Sequence, residues 1–184
     1  DLAKAQIDEL KKALPNCKIF SNPTLNKEEQ REFIEAAVRK AAKKPTGDLT
    51  KADYEKVTVL SFVASGLTEV PKGIEKLTHL TNLNLNHNQL TNVKGLEKLT
   101  QLKGLYLGGN KLTELPKGLE NLEKLTQLRD LELSINQLTN VTGLENLTQL
   151  RTLRLVDNPA LTKAQIDQLQ KSLPKCSISH NAKK

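Results

Sequence analysis

Few side chains in this sequence are placed to do covalent chemistry. The three histidines, His79, His87 and His180, share no spacing that would hold a metal. No G-x-S-x-G nucleophile elbow, H-E-x-x-H helix or phosphate-cradling glycine loop is present. Gly108-Gly109-Asn110-Lys111 has a superficial likeness to such a loop, but it falls inside a phrase that recurs along the chain. Catalysis, a bound metal and a bound cofactor are therefore not expected. The residues that remain suit recognition. Tyr106 is one of two tyrosines in 184 residues and stands beside Gly104, Gly108 and Gly109. It reads either as an exposed aromatic anchor over a glycine-lined dip or as a ring packed on its neighbours. Glu132 and Arg154 are opposite charges, with Lys103, Arg129, Asp130 and Arg151 in the same phrases. They read as a polar rim for a partner, or as cross-strand pairs that keep a sheet soluble. Asn84 and His87 complete the set, His87 as a solvated polar residue rather than a ligand.

What positions these residues is a phrase, L-x-x-L-x-L-x-x-N-x-L. It is clearest as LTNLNLNHNQL from Leu80 to Leu90 and returns from Leu102, Leu128 and Leu150, with a worn copy from Val57. The first positions, Val57, Leu80, Leu102, Leu128 and Leu150, fall 23, 22, 26 and 22 residues apart. This is the pattern of a leucine-rich repeat, in which each turn buries its apolar side chains only by stacking on its neighbours. Positions 1, 4 and 6 point in, and positions 2, 3, 5, 7 and 8 face out. Equivalent residues then form columns roughly 4.8 Å apart. Asn88, Asn110, Asn136 and Asn158 are expected to form a ladder of amides bonded to neighbouring turns, with Ser65 replacing Asn in the first repeat. Return segments such as GLEKLTQL are too short for long helices and predict a helical turn or 3₁₀ piece. The 26-residue interval places a four-residue insertion between Thr113 and Leu128, on the convex side.

Both ends carry helical segments. Residues 161–178 read as a C-terminal cap, with a Thr162–Gln165 capping box, Ile166, Leu169 and Leu173 on one face, and a short strand around Ile178. Residues 2–19 repeat it at a constant offset of 159, pairing Cys17 with Cys176. This copy reads as the end of a preceding array. Its spare apolar face is where a chain–chain contact would form, and the oligomeric state is otherwise open. Asn26 with Glu29 predicts a helix start, and the helix is expected to run to about Lys44 and stop at Pro45 and Gly47. Its apolar side is Phe33, Ile34, Ala37, Val38 and Ala41. A second capping box spans Thr50 to Asp53. The expected organisation is α/β: a right-handed solenoid with a curved parallel sheet of about five repeats and helical N- and C-terminal caps. Its segments are a cap copy over 1–22, an N-terminal cap over 23–56, repeats over 57–161 and a C-terminal cap with a basic tail over 162–184.

Composition agrees with a stack filled by leucine: aromatics are 3%, with no Trp and no Met. Ends separated by five repeats lie well over about 20 Å apart, too far for a Cys17–Cys176 disulfide, so both thiols are expected free and buried. No apolar run is long enough to span a membrane. The net charge of +7, with Arg39, Lys40, Lys43 and Lys44 at a helix end and a Lys183–Lys184 tail, raises a weak polyanion binder as a rival. Aromatics for base stacking are nearly absent, so no specific nucleic-acid partner is expected.

The 22-residue spacing, the phrase LTNV-GLEKLTQL and the segment GDLTKADYEKVTVL resemble bacterial leucine-rich repeat proteins of the internalin type, over residues 25–161. The resemblance implies a curved parallel-sheet solenoid that engages a protein on its concave face, without insertion into a membrane. Here that face lacks rows of aromatics. The resemblance also implies export to a bacterial surface or periplasm, with a leader outside this sequence, which begins at Asp1. The alternative is a spacer segment in a longer multi-array surface protein.

Overall fold

The computed structural model describes residues 25–114 and 125–183. The cap copy over 1–22, with Cys17, lies outside the described residues, as do most of the insertion before Leu128 and Lys184. Helix α1 (Lys27–Ala42) and a single turn α2 (Lys51–Tyr54) lead into strand β1 (Val59–Ser61). Strands β2 (Asn82–Asn84), β3 (Gly104–Tyr106), β4 (Asp130–Glu132) and β5 (Thr152–Arg154) follow, then helix α3 (Lys163–Ser172) and strand β6 (Ser177–Ser179). They form one parallel sheet in sequence order. The cap strand joins the sheet as a sixth member, one more than the five repeats alone supply.

The register follows directly from the phrase. Position 4 pairs with position 4 at every step, so Leu60, Leu83, Leu105, Leu131, Leu153 and Ile178 make a single row. Leu83, Leu105, Leu131 and Leu153 are fully buried. Burying each such side chain contributes about 1.5–3 kcal/mol, which is how a core nearly without aromatics holds. The asparagine ladder forms as expected. The Asn136 amide donates to Leu107 O at 3.0 Å and Leu133 O at 3.1 Å, while its oxygen accepts from Leu112 N at 3.0 Å. Asn88, Asn110 and Asn158 repeat the pattern. In the first repeat, Ser65 N donates to the Asn88 oxygen at 3.0 Å, so the neighbouring asparagine serves the turn that lacks one.

The return segments contain 3₁₀ turns at Ile74–Lys76, Leu96–Lys98 and Leu144–Asn146. Each begins after a glycine with φ near +100°, at Gly73, Gly95 and Gly143, a conformation that favours glycine. Two residues on, a glutamate turns back to accept the glycine N–H at 2.7 Å.

Helix α1 starts at the Asn26–Glu29 capping box but ends at Ala42, not Lys44. Lys43 takes the left-handed conformation, and Lys44 N donates back to Arg39 O, so the chain leaves the helix before Pro45 is reached. Ile34 and Val38 are buried, but Phe33 is 41% exposed and Ala41 lies in solvent. Phe33 rests against Phe62 at 4.5 Å between ring centres, covering the stack from its side. Gln30 is buried instead, its amide bonded to Leu25 O at 2.8 Å. At the α1–α2 corner, the Asp53 carboxylate accepts from Thr50 N at 2.9 Å and Thr50 Oγ1 at 2.8 Å, with Lys44 and Lys56 each at 3.3 Å. The Thr50 donors, helped by the two lysines against the cost of burial, hold this carboxyl well below the usual carboxylate range. Cys176 is buried and free, and burial pushes its thiol up.

Candidate functional site: the concave sheet face

Strands of three residues bury position 4 and leave positions 3 and 5 on the opposite face. Position 5 runs Ser61, Asn84, Tyr106, Glu132, Arg154 and Ser179 in register, and position 3 runs Val59, Asn82, Gly104, Asp130, Thr152 and Ser177. All are half-buried or exposed except Gly104. The nine residues picked out from sequence thus fall on this face or its two rims. Asn84, Tyr106, Glu132, Arg154 and Asp130 lie on the sheet, Lys103, Arg129 and Arg151 at its entrance and His87 at its exit.

Their environments differ from the expectation in several places. Of the two readings of Tyr106, its half-burial favours the ring packed on neighbours, and Gly104 and Gly108 are buried rather than open to solvent. A side chain at Gly104 would overlap the Asn82 amide oxygen and come within 3.2 Å of the Tyr106 ring. One at Gly108 would meet Glu132 Cγ at 3.2 Å, and one at Gly109 would meet His87 Nδ1 at 2.6 Å. The glycines make room for neighbouring side chains of the same sheet, which approach them closely. Tyr106 is therefore half-buried on a packed surface.

Glu132 and Arg154 are brought together, with Arg154 Nε 3.8 Å from Glu132 Oε2. The other Glu132 oxygen accepts Ser134 N at 2.7 Å. Asn84 does the same in its own repeat, accepting Asn86 N at 3.0 Å. An acceptor at position 5 satisfies the amide at position 7, so these two side chains serve the fold as well as facing outward. In the Tyr106 repeat, where position 5 has no such acceptor, Gly108 N bonds to Asn86 Oδ1 of the preceding repeat at 2.7 Å. Asn86 was absent from the candidate set, and its place between two glycine-containing phrases was the available signal.

Position 8 departs from a sheet residue altogether. Ala64, His87, Gly109, Ile135 and Asp157 all have φ between +52° and +66°. The chain turns out of the sheet there in a left-handed conformation that costs a non-glycine residue about 1–2 kcal/mol. Ile135 combines that conformation with 54% exposure. Gly109, with His87 and Asp157 as residue types enriched in this region, was the hint of this in the sequence. Among the described residues no group of three or more His, Cys, Asp or Glu side chains could hold a metal ion. No described helix is long and apolar enough to cross a membrane.

The chain matches the model of a leucine-rich repeat region over residues 56–180. No match is found among curated protein sequences. Among solved structures it is similar to an internalin, InlF, from Listeria monocytogenes, at 31% identity with a TM-score of 0.68, over 83% of this chain and 42% of that one. It is similar to internalin C2 from the same organism at 27% identity and a TM-score of 0.59, over 82% of this chain and 74% of that one. A leucine-rich repeat protein of Leptospira interrogans aligns at 31% identity and a TM-score of 0.62, over 72% of this chain and 34% of that one. The chain thus spans less than half the length of two of these three structures. With its repeat spacing, sheet register and 3₁₀ returns in place, the chain belongs to the leucine-rich repeat family, with repeats of the internalin type.

Proposed function

We propose that the protein is a non-enzymatic recognition module that binds a protein partner through the concave sheet, with Tyr106 and Arg154 central to the contact. The observation that carries this is the division of labour across the sheet. One face is consumed by leucines, and the other presents two in-register rows of half-buried and exposed side chains. Tyr106 is the only aromatic in those rows, and rigid half-buried aromatics and arginines are the side chains most often decisive at interfaces. The same reading places the protein outside the cytoplasm of a bacterium, which fractionation of the source cells checks.

The test compares immobilised wild type with a Tyr106→Ala/Arg154→Glu variant and with a convex-side variant, Lys94→Ala/Thr148→Ala, for capture of extracellular proteins. Loss of a captured protein by about thirty-fold or more is expected only with the concave variant. Equal capture by all three would remove the claim. One observation favours the spacer reading instead. Glu132 and Asn84 already bond within the sheet, and Arg154 has an intramolecular partner. On that reading no substitution on this face alters any binding.

A further inference from the structure

Position 2 of the phrase, where the chain enters each strand, narrows the chemistry of the partner. The column reads Thr58, Thr81, Lys103, Arg129, Arg151. Its backbone is a continuous ladder: Lys103 N donates to Thr81 O, Arg129 N to Lys103 O and Arg151 N to Arg129 O, each at 2.8 Å. Successive members are therefore held about one strand spacing, roughly 4.8 Å, apart. The column changes character along its length. Thr81 is half-buried and its hydroxyl donates to Thr58 O at 2.9 Å, so the fold uses it. Lys103, Arg129 and Arg151 are all exposed and, among the described residues, form no ion pair or side-chain hydrogen bond. The nearby acids do not neutralise them. Asp130 makes no ion pair, and Glu132 is taken by Ser134 N and Arg154. Like charges directly opposite on neighbouring strands destabilise a sheet, and no described side chain pairs with these three.

We propose that Lys103, Arg129 and Arg151 form a docking rail for an acidic segment of the protein partner. This rests on the reading that the concave face binds a protein, and adds the partner's charge. The outer two members stand about 10 Å apart along the ladder. Alternate side chains of an extended segment are about 7 Å apart, and the long stems of Lys and Arg can splay to meet carboxylates at that spacing. Guanidinium groups bind carboxylates in pairs of hydrogen bonds, which gives Arg129 and Arg151 directional as well as electrostatic hold. Arg154, three residues beyond Arg151 at the outward position 5 of β5, adds a further cation on the sheet.

The test measures binding of a fluorescent ten-residue polyglutamate peptide at low salt. The Lys103→Thr/Arg129→Thr/Arg151→Thr variant continues the threonine column and is expected to weaken binding at least about ten-fold, with an unchanged or raised thermal midpoint. A control of equal charge change, Lys94→Thr/Lys171→Thr/Lys175→Thr, is expected to stay within about two-fold. Arg129→Gln alone, which keeps most of the column, is expected to weaken binding about three-fold and guards against misfolding of the triple variant. Equal loss in the control reduces the effect to net charge and overturns the proposal. So does a lowered midpoint in both rail variants, which makes the cations structural. Tighter binding of a ten-nucleotide single strand than of the peptide, lost in the rail variant, assigns the rail to nucleic acid and also overturns it. If a captured protein partner is lost with Tyr106→Ala/Arg154→Glu but kept with the rail variant, the charge assignment fails while the recognition reading stands.

Discussion

β6 lies against β5 as a further repeat would, with Ile178 in the leucine row and Leu155 N donating to Ser179 O at 2.8 Å. Beyond it, Asn181 Oδ1 accepts Asp157 N at 2.8 Å, standing in for the carbonyl that a next repeat would offer. Earlier in the array that role falls to backbone oxygens, as in His87 N to Gly108 O and Ile135 N to Val156 O. At the opposite end no described strand lies against β1. There α1 is laid across the stack, pinned by Ile34 and Val38 and by the charged corner around Asp53. The C-terminal cap satisfies the edge by copying the repeat's hydrogen bonds, whereas the described part of the N-terminal cap covers the core and reaches the first turn through one backbone bond, Leu25 N to Ser65 O at 3.0 Å. Val59 on β1 is 62% exposed, and Phe33, Ala37, Val57 and Val59 line a groove of about 650 Å³ between α1 and the edge.

The largest effects should come from breaking the apolar contact at each end. Ile34→Ala and Leu169→Ala each remove a side chain that is 3% exposed, and each should cost about 2–5 kcal/mol in denaturant unfolding. The comparison predicts where the loss appears. A stack coupled only through neighbours loosens from the damaged end. In hydrogen exchange, Ile34→Ala should therefore deprotect Leu60 and Phe62 while Leu153 and Leu155 remain slow, and Leu169→Ala should do the reverse. Uniform loss of protection in either variant would mean that the solenoid unfolds as one unit and the ends are not separable.

The sequence made the repeating parts of this architecture plain because each repeating residue has one job. Leucines at positions 1, 4 and 6 and asparagine at position 9 are chosen by burial and by backbone groups that must be bonded, so their types report their places. The capping boxes at Asn26, Thr50 and Thr162 were legible for the same reason: the donor and acceptor sit three residues apart in one chain. The concave face was less legible. Alternation said which residues point outward, but not that Glu132 and Asn84 would bend back to the position-7 amide, or that the glycines around Tyr106 would be roofed by Asn82, Glu132 and His87. Those contacts depend on side chains one repeat away, and every column position tolerates many residue types. The left-handed turn at position 8 was hidden because Ala64 and Ile135 share the column with Gly109, His87 and Asp157; ladder bonds such as Ile135 N to Val156 O hold even the isoleucine in it. The early stop of α1 was missed because Lys43, rather than a glycine, takes the left-handed cap.

The next effect in size tests the charged corner that the covering cap depends on. The Asp53 side chain is 8% exposed and its carboxyl is held well below the usual range, first by the Thr50 donors. A carboxylate whose folded-state pKa is depressed stabilises the fold above its unfolded value, near 3.9, and loses that contribution as pH falls below it. Thermal midpoints should therefore show wild type well above Asp53→Asn at pH 7, with the gap narrowing as pH falls from about 4 toward 2. The loss should concentrate in α2 and the entry to β1. A gap that stays constant with pH would mean that Asp53 acts through hydrogen-bond shape alone, and the charge would drop out of the account of this end.

The smallest effect comes from the copied carbonyl. Asn181 is exposed, so water can take over the Asp157 amide when the side chain is removed. Asn181→Ala should cost only about 0.5–1.5 kcal/mol in denaturant unfolding, because water can replace both of its hydrogen bonds to Asp157. Its local consequence should be clearer than its global one: the Asp157 amide should exchange faster while Leu155, bonded to the backbone of β6, is unchanged. That separation follows from how the copy is built. β6 supplies backbone in register and carries the energy of the cap, and Asn181 only finishes the last left-handed turn. A cost from Asn181→Ala exceeding that of Asp53→Asn would reverse the ranking of the two ends, making one copied acceptor worth more than the buried charged corner that secures the other.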